Sequence, residues 1–134
     1  MDWVRGRRQR VPDLGDREIA VLCCIWDGGD STAREVQSRL AGDRVTLSTI
    51  QSTLERLTRK GLVKREKHGR AYRYSPRLSR SQLIARLIRD IADDLADGEL
   101  APMMMGFTDF VAAKDPALEA LLEELLDRED KRRD

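Results

Sequence analysis

Two capped helices, then a third helix closed by glycine and followed at once by a short basic hairpin, predict a mainly α chain. The expected class is an α+β winged helix-turn-helix with a C-terminal helical dimerisation region. The stretch over residues 46–76 carries most of this: TLSTIQSTLERLTRKG, then LVKREK, HG and RAYRYSP. Charge is the second observation. Residues 1–80 hold 18 Lys/Arg against 10 Asp/Glu, a net of +8, and residues 81–134 hold 7 against 14, a net of −7. A basic block beside an acidic one points to nucleic-acid contact by the first and a separate role for the second.

Residues 1–12 are Arg-rich without periodicity and read as a flexible basic arm. A first helix is expected over 16–26, with Ile19, Leu22, Cys23 and Trp26 on one apolar face. Gly15 serves as its N-cap, Glu18 is at N3, and Leu14 with Ile19 is placed for a hydrophobic staple. Gly28-Gly29 ends it. A second helix is expected over 33–40, opened by the capping box Thr32-Ala33-Arg34-Glu35, with Val36 and Leu40 inward. Ala41-Gly42-Asp43 breaks it.

The third helix is expected over 47–60. Thr46 is its N-cap, Ile50, Leu54 and Leu57 its buried stripe with Thr53 beside them, and Gly61 its stop. Its opposite face carries Ser48, Ser52, Glu55 and Arg59, with Thr49, Gln51 and Arg56 on the shoulders. His68-Gly69 reads as the two-residue turn of the hairpin. Tyr72 and Tyr74 share one face of the second strand and are expected to pack on the core, and Pro76 ends that strand.

A fourth helix opens at the capping box Ser79-Arg80-Ser81-Gln82 and runs to about residue 96, where Gly98 stops it. Leu83 lies in its first turn, and Ile84, Leu87, Ile88, Ile91 and Leu95 form a wide apolar stripe. A fifth, over 99–113, carries Phe107, Phe110 and other apolar residues, although Gly106 weakens it. Asp115-Pro116 opens the last helix, with Leu118, Leu121, Leu122 and Leu125 in a row, which then dissolves into the charged tail REDKRRD. The expected organisation is an arm over 1–12, a winged helix over 13–78 and a helical dimerisation region over 79–134.

A major groove admits one α-helix, and short polar side chains near its N-terminus read base edges. Ser48, Thr49, Gln51 and Ser52 form such a set, with Thr46 at the cap. Gln pairs bidentately with adenine, whereas Ser and Thr bond either bases or phosphates. Arg56 and Arg59, with Lys64, Arg65, Lys67, Arg70 and Arg73 of the hairpin, are candidate phosphate contacts, which confer affinity and register more than sequence choice. The expected partner is double-stranded DNA. A winged helix used only for protein contact is the second reading, and the basic first half counts against it.

Other classes are poorly supported. His68 is the single histidine and has no partnered nucleophile, so no catalytic residue is assigned. Cys23 and Cys24 are adjacent and point about 100° apart on a helix, which excludes an ordinary disulfide and suggests one core thiol and one half-exposed. No second cysteine cluster makes a metal site, and no cofactor is expected. No window approaches a membrane span and the N-terminus lacks a secretory apolar core, so no membrane insertion and a cytoplasmic location are expected.

These residues resemble the penicillinase-repressor family (BlaI/MecI), which also includes copper-responsive CopY repressors. The likeness is strong over about residues 13–80 and weaker beyond. Its most specific pieces are Glu18, Val21 and Trp26 in the first helix, the run from Thr49 to Leu62, and the Arg70-Ala71-Tyr72-Arg73-Tyr74 wing. The resemblance implies a homodimeric repressor whose helices after Ser79 interlock with a second copy. It implies base or phosphate contacts from Ser48, Thr49, Gln51 and Ser52, and wing contacts around Arg70. In antibiotic-responsive members it implies induction by a membrane sensor-protease system that leads to cleavage near an Asn-Phe pair. The matching place here is Asp109-Phe110, an altered pair. Copper-responsive members use C-terminal cysteines, and this chain has none after Cys24.

Overall fold

A computed structural model describes residues 10–133, so most of the basic arm expected over 1–12 lies outside the described residues. The chain divides into two compact units, one running to Leu87 and the other from Ile88 onward. The division falls inside a helix, whereas the sequence suggested a change of role at residue 79.

In the first unit, α1 (Asp16–Gly28) and α2 (Ala33–Arg39) lead through a 3₁₀ turn (Ala41–Asp43) to α3 (Leu47–Arg59). The strands β1 (Val63–His68) and β2 (Ala71–Pro76) follow as an antiparallel hairpin, and α4 (Arg80–Leu95) begins after it. Each helix starts where its cap chemistry dictates. Glu18 Oε1 accepts the Gly15 amide at 3.3 Å, and the Thr32 hydroxyl accepts the Glu35 amide at 3.2 Å while Glu35 returns to the Thr32 amide. Ser79 and Gln82 close the same reciprocal pair at the head of α4, at 2.8 and 3.1 Å. Such boxes satisfy amides that no helical carbonyl can reach.

The core is one cluster built from α1, α2, α3 and the hairpin, with Val21, Leu22, Ile25, Val36, Ile50, Leu54, Leu57 and Val63 at its centre. Tyr74 from β2 and Leu83 from α4 join it. The face that α1 buries differs from the one its spacing suggested. Glu18, Val21, Leu22, Cys24 and Ile25 are buried, while Ile19 is exposed and Cys23 and Trp26 are half-buried. Residues 20–26 are all apolar, so no period separates the true face from its neighbours. The core thiol is Cys24 and the half-exposed one Cys23.

The hairpin turn also shifts by one residue. His68 pairs with Ala71 as the last rung, which leaves Gly69 and Arg70 as the two loop residues rather than His68 and Gly69. Gly69 has φ +65°, and the positive angle sits at the first loop position, as in a type II′ turn. A third strand segment is a single residue: Ser31 exchanges both main-chain hydrogen bonds with Tyr74, at 3.0 and 2.8 Å. The two tyrosines part company. Tyr74 is 6% exposed and in the core, but Tyr72 is 39% exposed, with the Arg65 guanidinium 4.5 Å from its ring centroid.

In the second unit, the end of α4 is followed by α5 (Leu100–Lys114) and α6 (Pro116–Arg133), and α5 packs on α6. Asp115 Oδ1 accepts the Ala117 amide at 2.9 Å, and Pro116 stands at the first helical position, where its missing N–H costs nothing. The expected charged tail is helical instead, through Arg133. Arg128 with Glu124 at 2.9 Å and Arg132 with Glu129 at 3.5 Å supply the side-chain pairs that favour continuing the helix. Among the described residues, no helix is long and apolar enough to cross a membrane.

Candidate nucleic-acid interface

The third helix presents two opposed faces. Ile50, Thr53, Leu54 and Leu57 are buried against the core, while Ser48, Gln51, Ser52, Glu55 and Arg59 are exposed. Positions 48, 51, 52, 55 and 59 fall on one side of a 3.6-residue helix, so the exposed polar surface is continuous. At the head of this helix the Thr46 hydroxyl accepts the Thr49 amide at 3.1 Å and lies 2.9 Å from the Thr49 hydroxyl. Both threonines are therefore engaged in capping. Ser48, Gln51 and Ser52 are the exposed short polar side chains of the first turns.

The far end of α3 is closed by a Schellman motif. Gly61 N–H donates to Thr58 O and Leu62 N–H to Leu57 O, each at 3.1 Å, with Gly61 at φ +77°. Leu62 is buried, and β1 starts at the next residue. The hairpin thus leaves the helix with no slack. Within the pleat, Val63, Arg65 and Lys67 share a face with Tyr72 and Tyr74, whereas Lys64, Glu66 and His68 share the other with Arg73.

The basic residues separate into two groups. Arg59, Lys64, Lys67 and Arg70 are exposed. Arg73 is half-buried and held internally, at 3.3 Å from Glu35 Oε1 and 2.7 Å from the Asp30 carbonyl. Arg56 is exposed but donates to the Thr53 hydroxyl at 3.2 Å, which leaves part of its fork for other partners. The Glu35 carboxylate lies below its ordinary pKa, first because of the Thr32 amide and hydroxyl and then because of the nearby Arg73 and Arg39 cations.

Three supporting features escaped the sequence reading. Lys60 bonds Glu18 and the Asp13 carbonyl, at 2.6 and 2.7 Å. Arg39 Nη1 donates to the Ser31 hydroxyl at 2.6 Å beneath the strand bridge. Arg44 is exposed in a left-handed conformation, φ 53°, two residues before Thr46. Only the basic character of Arg44 was visible in advance. The other two pairings join residues far apart in the chain or too few to form a recognisable element.

The residues expected at a dimer contact are also divided. Leu83 is 4% exposed and belongs to the winged-helix core, so it is not part of an open face. Ile84, Leu87, Ile88 and Ile91 are partly exposed and Leu95 is 84% exposed. On α5 and α6, Phe107, Phe110, Leu118, Leu121 and Leu125 are exposed and Leu122 is half-buried. A cleft of about 560 Å³ in the second unit is lined by Ile91, Leu95, Met103, Phe107, Leu122 and their neighbours. Asp109 and Phe110 lie inside α5, both exposed, with the Phe107 and Phe110 rings 6.3 Å apart.

A three-helix core with a two-stranded wing, an exposed polar α3 and a basic hairpin define a winged-helix protein of the DNA-binding class. The family model described as penicillinase repressor matches residues 14–128. A transcriptional regulator BlaI of Mycobacterium tuberculosis is 34% identical over 120 residues, covering 87% of each chain. The penicillinase repressor of Bacillus licheniformis is 28% identical over 100 residues, covering 74% of this chain and 78% of that one. The monomeric form of the Bacillus licheniformis BlaI, solved in complex with the blaP half-operator, matches at 31% identity over 55% of this chain and 90% of that one, with a TM-score of 0.47. The chain belongs to the penicillinase repressor family of transcriptional regulators, which is not an enzyme class.

Proposed function

We propose that this chain is a sequence-specific repressor that binds an inverted-repeat operator as a homodimer. The observation that carries the reading is the exposed Ser48, Gln51 and Ser52 face of α3, with a basic hairpin that starts after only three intervening residues. Laid in a major groove, that face puts one amide and two hydroxyls at base edges, while Lys64, Lys67 and Arg70 meet phosphates. Arg73 serves the wing's own architecture. The exposed apolar side chains of α4, α5 and α6 favour a second copy as their cover, because large apolar patches on a lone chain invite association. A two-fold dimer reads half-sites one helical turn apart, or a multiple of that.

The test begins by selecting preferred duplexes from a random pool. Gel shifts then compare the selected site with a scrambled duplex. Gln51→Ala is expected to weaken the selected site by about tenfold and the scrambled one hardly at all, since a bidentate base pair is worth about 1–3 kcal/mol. Lys67→Ala is expected to weaken both alike. Equal losses on the two duplexes for Gln51→Ala would remove the reading role.

Relief of repression in this reading includes cleavage at Asp109-Phe110 on a signal from a membrane sensor-protease system. The bond lies within α5, and a protease takes its substrate extended, so cutting requires the helix to open locally. Incubating the dimer with the cognate protease and mapping the fragments by mass spectrometry tests this; a cut elsewhere rejects it.

A further inference from the structure

Arg44 occupies a backbone conformation that its residue type does not favour. It lies in the left-handed region, at φ 53° and ψ 43°, and is exposed. Among the described residues one other non-glycine residue has a positive φ, Asp97, and aspartate is a type that tolerates it. The chain on both sides holds Arg44 in place. Its amide donates to the Ala41 carbonyl at 3.2 Å, Gln37 Nε2 donates to the Val45 carbonyl at 3.1 Å, and the Val45 side chain lies in the core. The guanidinium itself makes no hydrogen bond or ion pair with any described residue. Glycine would meet the same backbone requirement without strain. A strained residue held by its surroundings marks a position whose side chain has a task outside the fold.

We infer that Arg44 grips a phosphate of the DNA backbone at the N-terminal end of α3, on the side of the groove opposite the wing. The inference rests on the DNA-binding face of α3 proposed above and deepens it. The 13 residues of α3 span about 20 Å at 1.5 Å each, more than the width of a major groove, about 12 Å. A helix whose exposed face lies in such a groove therefore brings each end beside a backbone. The hairpin, with Lys64, Lys67 and Arg70 exposed, follows the C-terminal end. At the N-terminal end Thr46 and Ser48 carry no charge, and the Thr46 hydroxyl is engaged in capping. Arg44, two residues before that cap, is the cation placed to meet the backbone there. Its planar fork matches two phosphate oxygens, and the pinned turn fixes where the side chain starts. A contact of this kind adds affinity and register without base preference.

The experiment uses the full chain with Arg44→Gly and Arg44→Lys. Fluorescence anisotropy over a salt series measures binding to the selected and the scrambled duplex, and thermal melts measure the fold. Arg44→Gly is expected to weaken both duplexes alike, by about threefold to tenfold, and to reduce the salt slope by about 1. Its melting temperature is expected to equal or exceed that of the unaltered chain, because glycine adopts the left-handed angle freely. Arg44→Lys keeps the cation and is expected to keep the slope. An unchanged slope in Arg44→Gly overturns the contact. So does a loss confined to the selected duplex, which assigns base reading instead, and so does a lowered melting temperature, because the side chain then serves the fold. A lysine variant with the slope of the glycine variant removes charge as the cause and overturns it too. An unaltered chain that binds neither duplex, or binds them without salt dependence, overturns the DNA-binding reading itself, and this contact with it.

Discussion

The ammonium of Lys60 sits 2.6 Å from Glu18 Oε2 and 2.7 Å from the Asp13 carbonyl, tying the end of α3 to the entrance of α1. Glu18 is buried, and Lys60 is mostly so. The same carboxylate also caps α1 through Gly15, so one side chain joins two helix ends.

Glu18→Gln is expected to lower the unfolding free energy at pH 7 by about 1.5–3 kcal/mol, the range for hydrogen bonds to charged groups. The Lys60 hydrogen bond holds the Glu18 carboxyl below its ordinary value of 4.5, against an opposing effect of burial. A lowered folded pKa contributes stability that is complete above the unfolded value and fades as pH falls through the folded one. Denaturation curves of the two proteins should therefore separate at pH 7 and converge below the lowered value. A gap that persists unchanged in acid would assign the loss to packing instead.

Leu54→Ala removes a fully buried side chain from the face of α3 that meets the core. The expected loss is about 2–5 kcal/mol, from lost transfer energy plus the cavity left behind. Urea titration followed by circular dichroism measures it. A loss below about 1 kcal/mol would mean that the core repacks around the gap.

Gly61→Ala should cost about 1–2 kcal/mol, because a Cβ is disfavoured at φ +77° and the Schellman bonds depend on that angle. No atom would obstruct the methyl group, so the penalty is conformational. Thermal melts of the two proteins give the comparison; equal melting temperatures would contradict it.

Lys67→Ala and Arg73→Ala should differ in kind although both remove a cation from the hairpin. Lys67 is exposed, and its loss is expected to reduce the salt slope of DNA binding by about 1. Arg73 is bound to Glu35 and Asp30, and its loss is expected to lower the melting temperature while leaving the slope unchanged. Fluorescence anisotropy across a salt series separates them. Identical slopes for the two variants would undo the distinction.

Leu121→Glu places a charge on an exposed apolar position of α6. Sedimentation equilibrium is expected to find the unaltered chain as a dimer and the variant as a monomer at micromolar concentration, because an unpaired charge is costly in an apolar contact. A variant that still dimerises would move the contact to another face.

What the sequence displayed depended on how polar and apolar residues were interleaved. In α3, Ile50, Leu54 and Leu57 stand among polar neighbours, so the buried stripe could be read directly. In α1 the unbroken apolar run over 20–26 concealed which side faced inward. The hairpin was evident from two strand-forming runs around a glycine, yet Gly69 fits either loop position until the His68 and Ala71 pairing is known. Ser31 could not be found at all, since a one-residue strand has no period. The helical tail was missed because a run of mixed charge resembles a solvated end; the Glu124 and Arg128 spacing of four was the available signal. In the candidate interface, exposure of Ser48 and Gln51 followed from the helical wheel, but the internal capture of Arg73 did not, because Asp30 and Glu35 lie on other elements.

Only Lys60, Gly61 and Leu62 stand between α3 and the first strand of the wing, and the amides of all three are bonded back to the last turns of the helix. Helix and wing therefore behave as the two jaws of a caliper with a welded joint. In the proposed complex, a duplex whose groove is too narrow or too wide meets a short, hydrogen-bonded joint, so most of the strain of a misfit falls on the DNA. In the proposed DNA complex, stiffness of the base steps between the jaws then becomes part of what is selected, at positions no side chain touches.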